Sequence, residues 1–143
     1  VVIHGDVFRD NVLWAGGEIA ALLDFESASR GSAGFDLVVT VLAWCFGDAL
    51  DEGLARAMGA GYAAARGLGR EERARLFHDA QVAALRFAIT RITDFELAPA
   101  GRMYRDYRRY LLRWDAIERL GPEGLGRLLL AQDEGQDKGL AEA

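Results

Sequence analysis

The order of apolar and polar positions divides the chain into a short β-rich beginning and a longer helical remainder. Short apolar runs at residues 1–3, 12–14 and 19–25 are separated by polar or glycine-containing segments, a spacing typical of strands. The runs at 12–14 and 19–23 flank Gly16-Gly17, which predicts a β-hairpin. The hairpin would bring the polar loop 4–11 and Asp24 to the same end of a small sheet. Residues 1–3 are predicted to form a buried strand.

From about Phe35 onward the pattern is helical. Residues 37–44 are apolar nearly all round, which predicts a central helix buried on most sides, with Asp36 just before it. Further helices are predicted at residues 50–66, 70–97 and 102–120, and at residues 122–131 after Gly121-Pro122. We therefore expect an α+β fold, mostly helical, in one domain over residues 1–131. Residues 132–143 are polar and rich in small residues, which predicts a flexible tail.

Composition narrows the classes of function. The net charge is -5 and almost every cation is an arginine, so a broad basic face for nucleic acid is not expected. Cys45, the single cysteine, lies in an apolar run, where a buried and inert thiol is expected, and one cysteine excludes a disulfide within the chain. No apolar run reaches the roughly 20 residues needed to span a bilayer. These features predict a soluble, cytoplasmic protein.

Two sequence segments carry the candidate chemistry: HGDVFRDN at residues 4–11 and LLDFE at residues 22–26. Phosphoryl transfer needs a carboxylate that orients an attacking hydroxyl and accepts its proton, and a Mg²⁺ ion that offsets charge on the triphosphate. Mg²⁺ prefers oxygen ligands and leaves several positions to water and phosphate. Asp6, Asn11 and Asp24 supply a suitable set of oxygen donors, and the loop and hairpin explain how one site could hold all three.

The pattern H-G-D-x-x-x-x-N, followed by a hairpin and Leu-Asp-Phe, resembles the catalytic loop and metal-binding segment of the aminoglycoside phosphotransferase and homoserine kinase group. That group shares its fold with the protein kinases. The resemblance implies the C-terminal, catalytic lobe of a kinase-like fold that uses ATP and Mg²⁺. It implies that Asp6 is the catalytic base and that Asn11 and Asp24 hold the metal and the nucleotide.

The resemblance also assigns supporting residues and an acceptor. It implies that His4 packs beneath the site as a structural residue and that Asp36, which with Gly31 matches the family's spacing, braces the catalytic loop. The segments VFRDNVLW at residues 7–14 and LRFAITRITD at residues 85–94 look most like the homoserine kinases of this fold, which act in threonine biosynthesis. Glu26 and Ser27 depart from that pattern, because many homoserine kinases carry aromatic residues there.

An amino-acid acceptor needs a partner for its carboxylate and another for its ammonium group. Arg91 and Asp94 are three residues apart on one predicted helix face and could supply those charges, although a solvated surface ion pair explains the spacing equally well. The resemblance makes homoserine the leading acceptor. The open alternatives are an aminoglycoside, choline-like or sugar acceptor for the same chemistry, and a truncated lobe that binds a partner without catalysis.

A kinase of this type also needs an N-terminal lobe with a phosphate-covering loop and a lysine on a strand. Lys138 is the only lysine and lies in the predicted tail. Gly59-Ala60-Gly61 formally begins a G-x-G-x-x-A fingerprint, but helical sequence flanks it on both sides. We therefore expect the N-terminal lobe to be absent from this chain and the chain alone to bind ATP weakly.

Overall fold

The computed structural model describes residues 1–97 and 106–130, and its fold is α+β and mostly helical, as predicted. In chain order the strands and long helices are β1 (Val2–Ile3), β2 (Val12–Ala15), β3 (Glu18–Leu22), β4 (Ser29–Arg30), α1 (Ala33–Trp44), α2 (Glu52–Ala65), α3 (Arg70–Arg91) and α4 (Arg108–Leu130). One 3-10 turn, Arg9–Asn11, ends the loop 4–11, and a second, Phe25–Ser27, follows the hairpin. A π-helical turn, Ile92–Glu96, continues α3.

The β-rich beginning forms two small antiparallel sheets. The predicted hairpin of β2 and β3 is confirmed, and both turn glycines, Gly16 and Gly17, have the positive φ that tight hairpin turns require. The second sheet pairs β1 with β4. The prediction that residues 1–3 are buried is wrong for Val1 and Val2, which are 59% and 78% exposed. Val1 precedes the strand, and because successive side chains of a strand point to opposite faces, Ile3 is buried while Val2 is exposed.

The core lies among the four helices, with α1 at its centre as predicted. Buried residues of α1 include Leu37, Val38 and Leu42, and the helix packs against α2 and α3, while α4 packs against both of these. The helix begins at Ala33, earlier than expected, so Asp36 lies within its first turn instead of before it. Extending the helix by one turn lets the first-turn carboxylate face the loop 4–11.

Most other helix boundaries agree with the sequence pattern to within a few residues. The predicted helix start at residue 102 is wrong, because residues 106–107 are not helical and Asp106 Oδ1 accepts a hydrogen bond from the Arg108 N–H, where α4 begins. Asp51 caps α2 by accepting a hydrogen bond from the Leu54 N–H at 2.9 Å. Within α4, Gly121 has a non-helical backbone (φ 64°) and Pro122 follows it, which is the predicted junction between two helices. Residues 102–105 and the expected tail at 132–143 lie outside the described residues.

The structure also bears on the sequence predictions for Gly59, Cys45, Trp44 and membrane-spanning segments. Gly59 lies inside α2 where that helix meets α4, and a Cβ at this position would overlap the backbone of Leu129, so close helix packing accounts for the glycine. Burial raises the pKa of the Cys45 thiol to about 11, consistent with an inert residue. Trp44, expected in the core, is only half-buried, because its indole faces the loop. Within the described ranges no helix is long and apolar enough to cross a membrane.

Candidate active site

The loop 4–11 is fixed to the helical core through Asp36. One carboxylate oxygen of Asp36 accepts a hydrogen bond from the His4 backbone N–H at 3.1 Å, and the other accepts from the Gly5 N–H at 2.7 Å. Hydrogen bonds to a charged acceptor are stronger than neutral ones, so this pair holds the start of the loop firmly on α1. Gly5 itself has φ 75°, and a Cβ there would lie 3.2 Å from the Ser27 carbonyl oxygen.

Arg86 on α3 holds the same loop from another side, a role that sequence reasoning missed. Its Nη1 donates to the Gly5 carbonyl oxygen at 2.9 Å, and its Nη2 donates to Ser27 Oγ at 3.3 Å. The only available signal was an arginine between Leu85 and Phe87 in a largely apolar stretch. Such a position does not reveal a partner about eighty residues earlier in the chain.

A third support comes from the end of α1. Trp44 Nε1 donates to the Val7 carbonyl oxygen at 2.8 Å. Arg9 Nη2 donates to the Trp44 carbonyl oxygen at 2.7 Å, and its guanidinium lies 5.5 Å from the centre of the Trp44 ring. The middle of the loop is thus tied to the helical core, as its beginning is.

His4 connects the loop to the end of the hairpin. Its Nε2 donates to the Leu23 carbonyl oxygen at 2.9 Å, and its ring packs on Phe25 with centroids 4.6 Å apart. The carbonyl can only accept, so the proton is on Nε2. Nδ1 is buried and has no hydrogen-bond partner among the described residues. These contacts fix the residues on both sides of Asp24 relative to the loop.

Asp6 and Asn11 are joined directly. Asn11 Nδ2 donates to the Asp6 carbonyl oxygen at 2.8 Å and to Asp6 Oδ2 at 3.1 Å. Two acceptors on one side fix the orientation of the amide, so that Asn11 Oδ1 is the atom left for a cation. Burial raises the pKa of Asp6, opposed by the positive charge of Arg86 and by the Asn11 hydrogen bond, while the neighbouring carboxylate of Asp24 raises it further.

Asp24 has an unusual backbone conformation. Its φ and ψ are 60° and 68°, which makes it the only non-glycine residue with a positive φ in the described part of the chain. Asp tolerates this left-handed region better than most residues, at a modest cost. The conformation ends the hairpin abruptly and begins the 3-10 turn Phe25–Ser27. Backbone strain at a polar residue beside a cavity marks it as a candidate functional residue.

One cavity of about 290 Å³ collects most of the predicted site residues. It is lined by Asp6, Phe8, Asp10, Asn11, Asp24, Glu26, Phe87, Thr90, Arg91 and Asp94. The structure therefore brings together the candidate base, the two candidate metal ligands and the two candidate acceptor-binding residues. His4 and Asp36 do not line the cavity and contact the loop from behind. Five carboxylates against one arginine make this cavity, here called the acidic cavity, strongly attractive to cations.

The donors in the acidic cavity are of the type that Mg²⁺ binds. Across residues 1–97 and 106–130 there is no cluster of three or more His, Cys, Asp or Glu residues arranged to enclose a metal ion. Mg²⁺ does not require one, because it usually takes one or two protein ligands and fills its remaining positions with water and phosphate oxygens. Asn11 Oδ1 and the Asp24 carboxylate fit that pattern, and the site is open to solvent on the Asp24 side.

Arg91 and Asp94 differ in their surroundings. Arg91 Nη1 donates to the Phe87 carbonyl oxygen at 3.1 Å, and its guanidinium stacks 4.1 Å from the centre of the Tyr110 ring. Asp94 is exposed and accepts a hydrogen bond from Thr93 Oγ1 at 3.1 Å. Arg91 is therefore held by helix and aromatic contacts at the wall of the cavity, whereas Asp94 lies at its rim.

Residues 1–68, which include the loop, the hairpin, α1 and α2, match the family model described as "Phosphotransferase enzyme family". Over these residues the chain is similar to this family of phosphotransferases. Its curated relatives include proteins named homoserine kinase. The relative from Chelativorans sp. (strain BNC1) is 41% identical over 116 residues, 78% of this chain and 36% of the relative.

Two further relatives named homoserine kinase give the same picture. The protein from Phenylobacterium zucineum is 39% identical over 129 residues, which cover 85% of this chain and 39% of the relative. The protein from Neisseria meningitidis serogroup B is 38% identical over 104 residues, 71% of this chain and 34% of the relative. The chain thus spans between about a third and two fifths of the length of the curated relatives it matches.

Proposed function

We propose that the protein containing this chain transfers the γ-phosphate of ATP to the hydroxyl group of a small metabolite, and that homoserine is the acceptor. The observation that carries the proposal is the acidic cavity, in which Asp6 is hydrogen-bonded to Asn11 and faces the same space as Asp24. The match of residues 1–68 to the phosphotransferase family model and the names of the relatives support the reaction class and the acceptor.

Asp6 acts as the base in this proposal. Its carboxylate accepts the proton of the acceptor hydroxyl as the oxygen attacks the γ-phosphorus and the bond to the ADP leaving group breaks. A pKa raised by burial makes the carboxylate a better proton acceptor than an exposed aspartate, and the Asn11 hydrogen bond orients it.

Asn11 and Asp24 hold Mg²⁺ in this proposal. When bound, the ion supplies positive charge that offsets the charge of the triphosphate. Asn11 precedes the first strand of the hairpin and Asp24 follows the second, so both lie at its open end, and the pairing of the strands sets the separation of their oxygen atoms. Asp36, His4 and Arg86 are positioning residues, because each contacts the loop or hairpin backbone and none lines the acidic cavity.

A second lobe is proposed to cover the apolar surface of the β-rich beginning. Exposed apolar side chains concentrate there, at Val1, Val2, Leu13, Trp14, Ile19 and Phe25. A patch of this kind marks a surface that another part of the protein or a partner covers. In a kinase-like arrangement, that lobe would close over the nucleotide phosphates. A cytoplasmic location stays a prediction.

The proposed acceptor can be tested against one alternative class that the acidic cavity would also suit. Five carboxylates in the acidic cavity would also suit a polycationic acceptor such as an aminoglycoside. The protein expressed from its complete open reading frame should be assayed with ATP and homoserine, kanamycin or choline. Preference for homoserine by kcat/KM is the expected result, and preference for kanamycin would replace the proposed acceptor while keeping the reaction class.

The variant Asp6→Asn tests the reaction itself. Loss of the proton acceptor should lower kcat by about 10²- to 10⁴-fold, while the KM for ATP stays near that of the wild type. The control is Asp115→Asn on the exposed side of α4, which should leave kcat unchanged. Near-normal turnover of Asp6→Asn would reject the base, and absence of phosphorylation of every acceptor by the wild type would favour the non-catalytic lobe.

A further inference from the structure

A second cavity, of about 470 Å³, adjoins the acidic cavity and has the opposite charge. The two share Phe8, Asp10 and Arg91 as a common wall. The second cavity is lined by Phe8, Arg9, Asp10, Ala43, Arg91, Asp106, Arg109, Tyr110 and Arg113. Four arginines outnumber two aspartates, so we call it the basic cavity. Nothing in the proposed roles of Asp6, Asn11 and Asp24 uses it.

Arg113 is the most informative residue of the basic cavity. Its side chain is buried, with 8% of the residue exposed. Among residues 1–97 and 106–130 it forms no ion pair with a carboxylate, and its polar neighbour is the Tyr110 hydroxyl, which favours the charged guanidinium. Its contacts are two aromatic rings, with the guanidinium 4.3 Å from the centre of Tyr110 and 5.5 Å from the centre of Phe46. A buried cation without an anionic partner is rare in proteins.

The surroundings make this arrangement costly for the protein alone. Burial lowers the pKa of the Arg113 guanidinium, Tyr110 partly opposes this shift, and the positive charges of Arg109 and Arg91 lower the pKa further. Stacking on aromatic rings recovers only part of the energy of removing a charge from water. Asp106, which lies just before α4, forms its ion pair with Arg108, at 3.4 Å, and not with Arg113. An anion bound in the basic cavity would give Arg113 a negatively charged partner.

From this geometry we infer that Arg113, assisted by Arg109, binds the α-carboxylate of the amino-acid acceptor in the basic cavity. The inference rests on the proposed function. The acceptor would span the shared wall, with its carboxylate beside Arg113 and its side-chain hydroxyl beside Asp6 in the acidic cavity. A guanidinium presents two parallel N–H groups that match the two oxygens of a carboxylate. Arg113 is thus a specificity-determining residue.

The anion in the basic cavity is assigned to the acceptor and not to the nucleotide. Asn11 and Asp24, the proposed Mg²⁺ ligands, line the acidic cavity alone, so the triphosphate belongs on that side. Arg91, which lines both cavities, and Arg113 both stack on the ring of Tyr110. Arg113 is therefore one aromatic ring away from a residue of the wall that the two cavities share.

The test compares homoserine with 3-aminopropan-1-ol, which keeps the hydroxyl and the amine and lacks the carboxylate. Arg113→Met removes the charge and keeps an apolar stem against Phe46 and Tyr110. For the protein from its complete reading frame, kcat/KM with homoserine should fall about 10- to 100-fold, and kcat/KM with 3-aminopropan-1-ol should not change. Arg113→Lys should retain part of the preference for homoserine. The matched control is Arg119→Gln, an exposed arginine of the same helix outside the basic cavity.

Three outcomes would overturn the inference. They are equal losses with both acceptors, an unchanged kcat/KM for homoserine, or a loss confined to the KM for ATP. Folding is checked by the thermal midpoint, which should be equal or higher in Arg113→Met because an unpaired buried cation is removed. If Arg113→Met does not fold, Arg109→Gln, which alters an exposed side chain of the same cavity, must show the same loss of selectivity.

Calorimetric binding of the two alcohols without ATP separates this inference from the proposed reaction. Binding of homoserine that depends on Arg113 supports the carboxylate site even if the wild type phosphorylates neither alcohol. Equal binding of homoserine to the wild type and to Arg113→Met rejects the site even if phosphorylation is observed.

Discussion

The helical part of the molecule and the loop-and-hairpin part are stabilised by different interactions. In the helices, apolar side chains such as Leu37, Leu42 and Leu76 are at most 2% exposed and pack on one another. In the first 32 residues the buried apolar side chains are only Ile3 and Val12. That segment is held mainly by hydrogen bonds between its backbone and helical side chains.

The helical part therefore supplies most of the stability, and the loop-and-hairpin part supplies the candidate site residues. Non-directional apolar packing stabilises the helices, whereas directional hydrogen bonds position the loop atoms. A substitution in the helical core should therefore change the free energy of unfolding without moving the acidic cavity. A substitution at a loop anchor should change activity more than stability. The substitutions below test this contrast between core packing and loop anchoring.

The largest effect on stability is expected for Leu42→Ala in α1. Leu42 is 1% exposed, and deleting a buried leucine side chain leaves a cavity, so the free energy of unfolding should fall by about 2 to 5 kcal/mol. Urea unfolding measures the change. The control, Leu54→Ala, alters a leucine that is 51% exposed and should shift stability by less than about 0.5 kcal/mol. Equal effects of the two substitutions would contradict the location of the core.

A smaller loss of stability, with a disproportionate loss of activity, is expected for Asp36→Asn. An amide replaces one acceptor oxygen by an NH₂ group that must face a backbone N–H of His4 or Gly5. Loss of one charge-assisted hydrogen bond should cost about 1.5 to 3 kcal/mol of unfolding free energy. Turnover should fall further than this loss of folded protein explains. Unfolding curves and kcat are measured on one preparation, with exposed Asp48→Asn as the control; retained kcat would show that Asp36 does not position the loop.

The smallest effects come from two glycines of α2. Gly61→Ala adds a methyl group where no atom lies within 4 Å, so the gain in helix propensity should stabilise the protein by about 0.5 to 1 kcal/mol. Gly59→Ala must displace the backbone of Leu129 and should destabilise by about 1 to 3 kcal/mol. Thermal unfolding of the matched pair gives both values. Stabilisation by both substitutions would show that α2 and α4 are not in close contact.

Local sequence patterns were sufficient to predict the hairpin, the central helix, the break at Gly121-Pro122 and the candidate set Asp6, Asn11 and Asp24. Each of these depends on residues close in sequence, on a short turn or on a recognisable motif. The structure brings the candidate set to one cavity, whereas the catalytic and metal-binding roles of these residues remain predictions. The exposure of Val1 and Val2 was not predicted, because an apolar run does not reveal which of its faces is covered.

Contacts between distant segments could not be read from the sequence. The pairing of β1 with β4 involves only Ser29 and Arg30, which are polar and have no strand pattern. Arg86 and Arg113 stand among many surface arginines, and only the folded chain shows that one binds the Gly5 carbonyl and the other is buried. The groups that these two arginines contact depend on how the helices pack, and composition and periodicity do not specify that packing.

The role of Asp6 is tested most directly by measuring the stability and the turnover of Asp6→Asn together across a range of pH. Because the pKa of Asp6 is raised above its ordinary value of 3.8, ionisation of Asp6 destabilises the folded state. The unfolding free energy of Asp6→Asn relative to the wild type should therefore rise as pH increases through that raised pKa and then stay constant, while kcat is lost throughout. A variant that loses turnover and stability together, with no such pH dependence, would contradict the claim that Asp6 is held for chemistry.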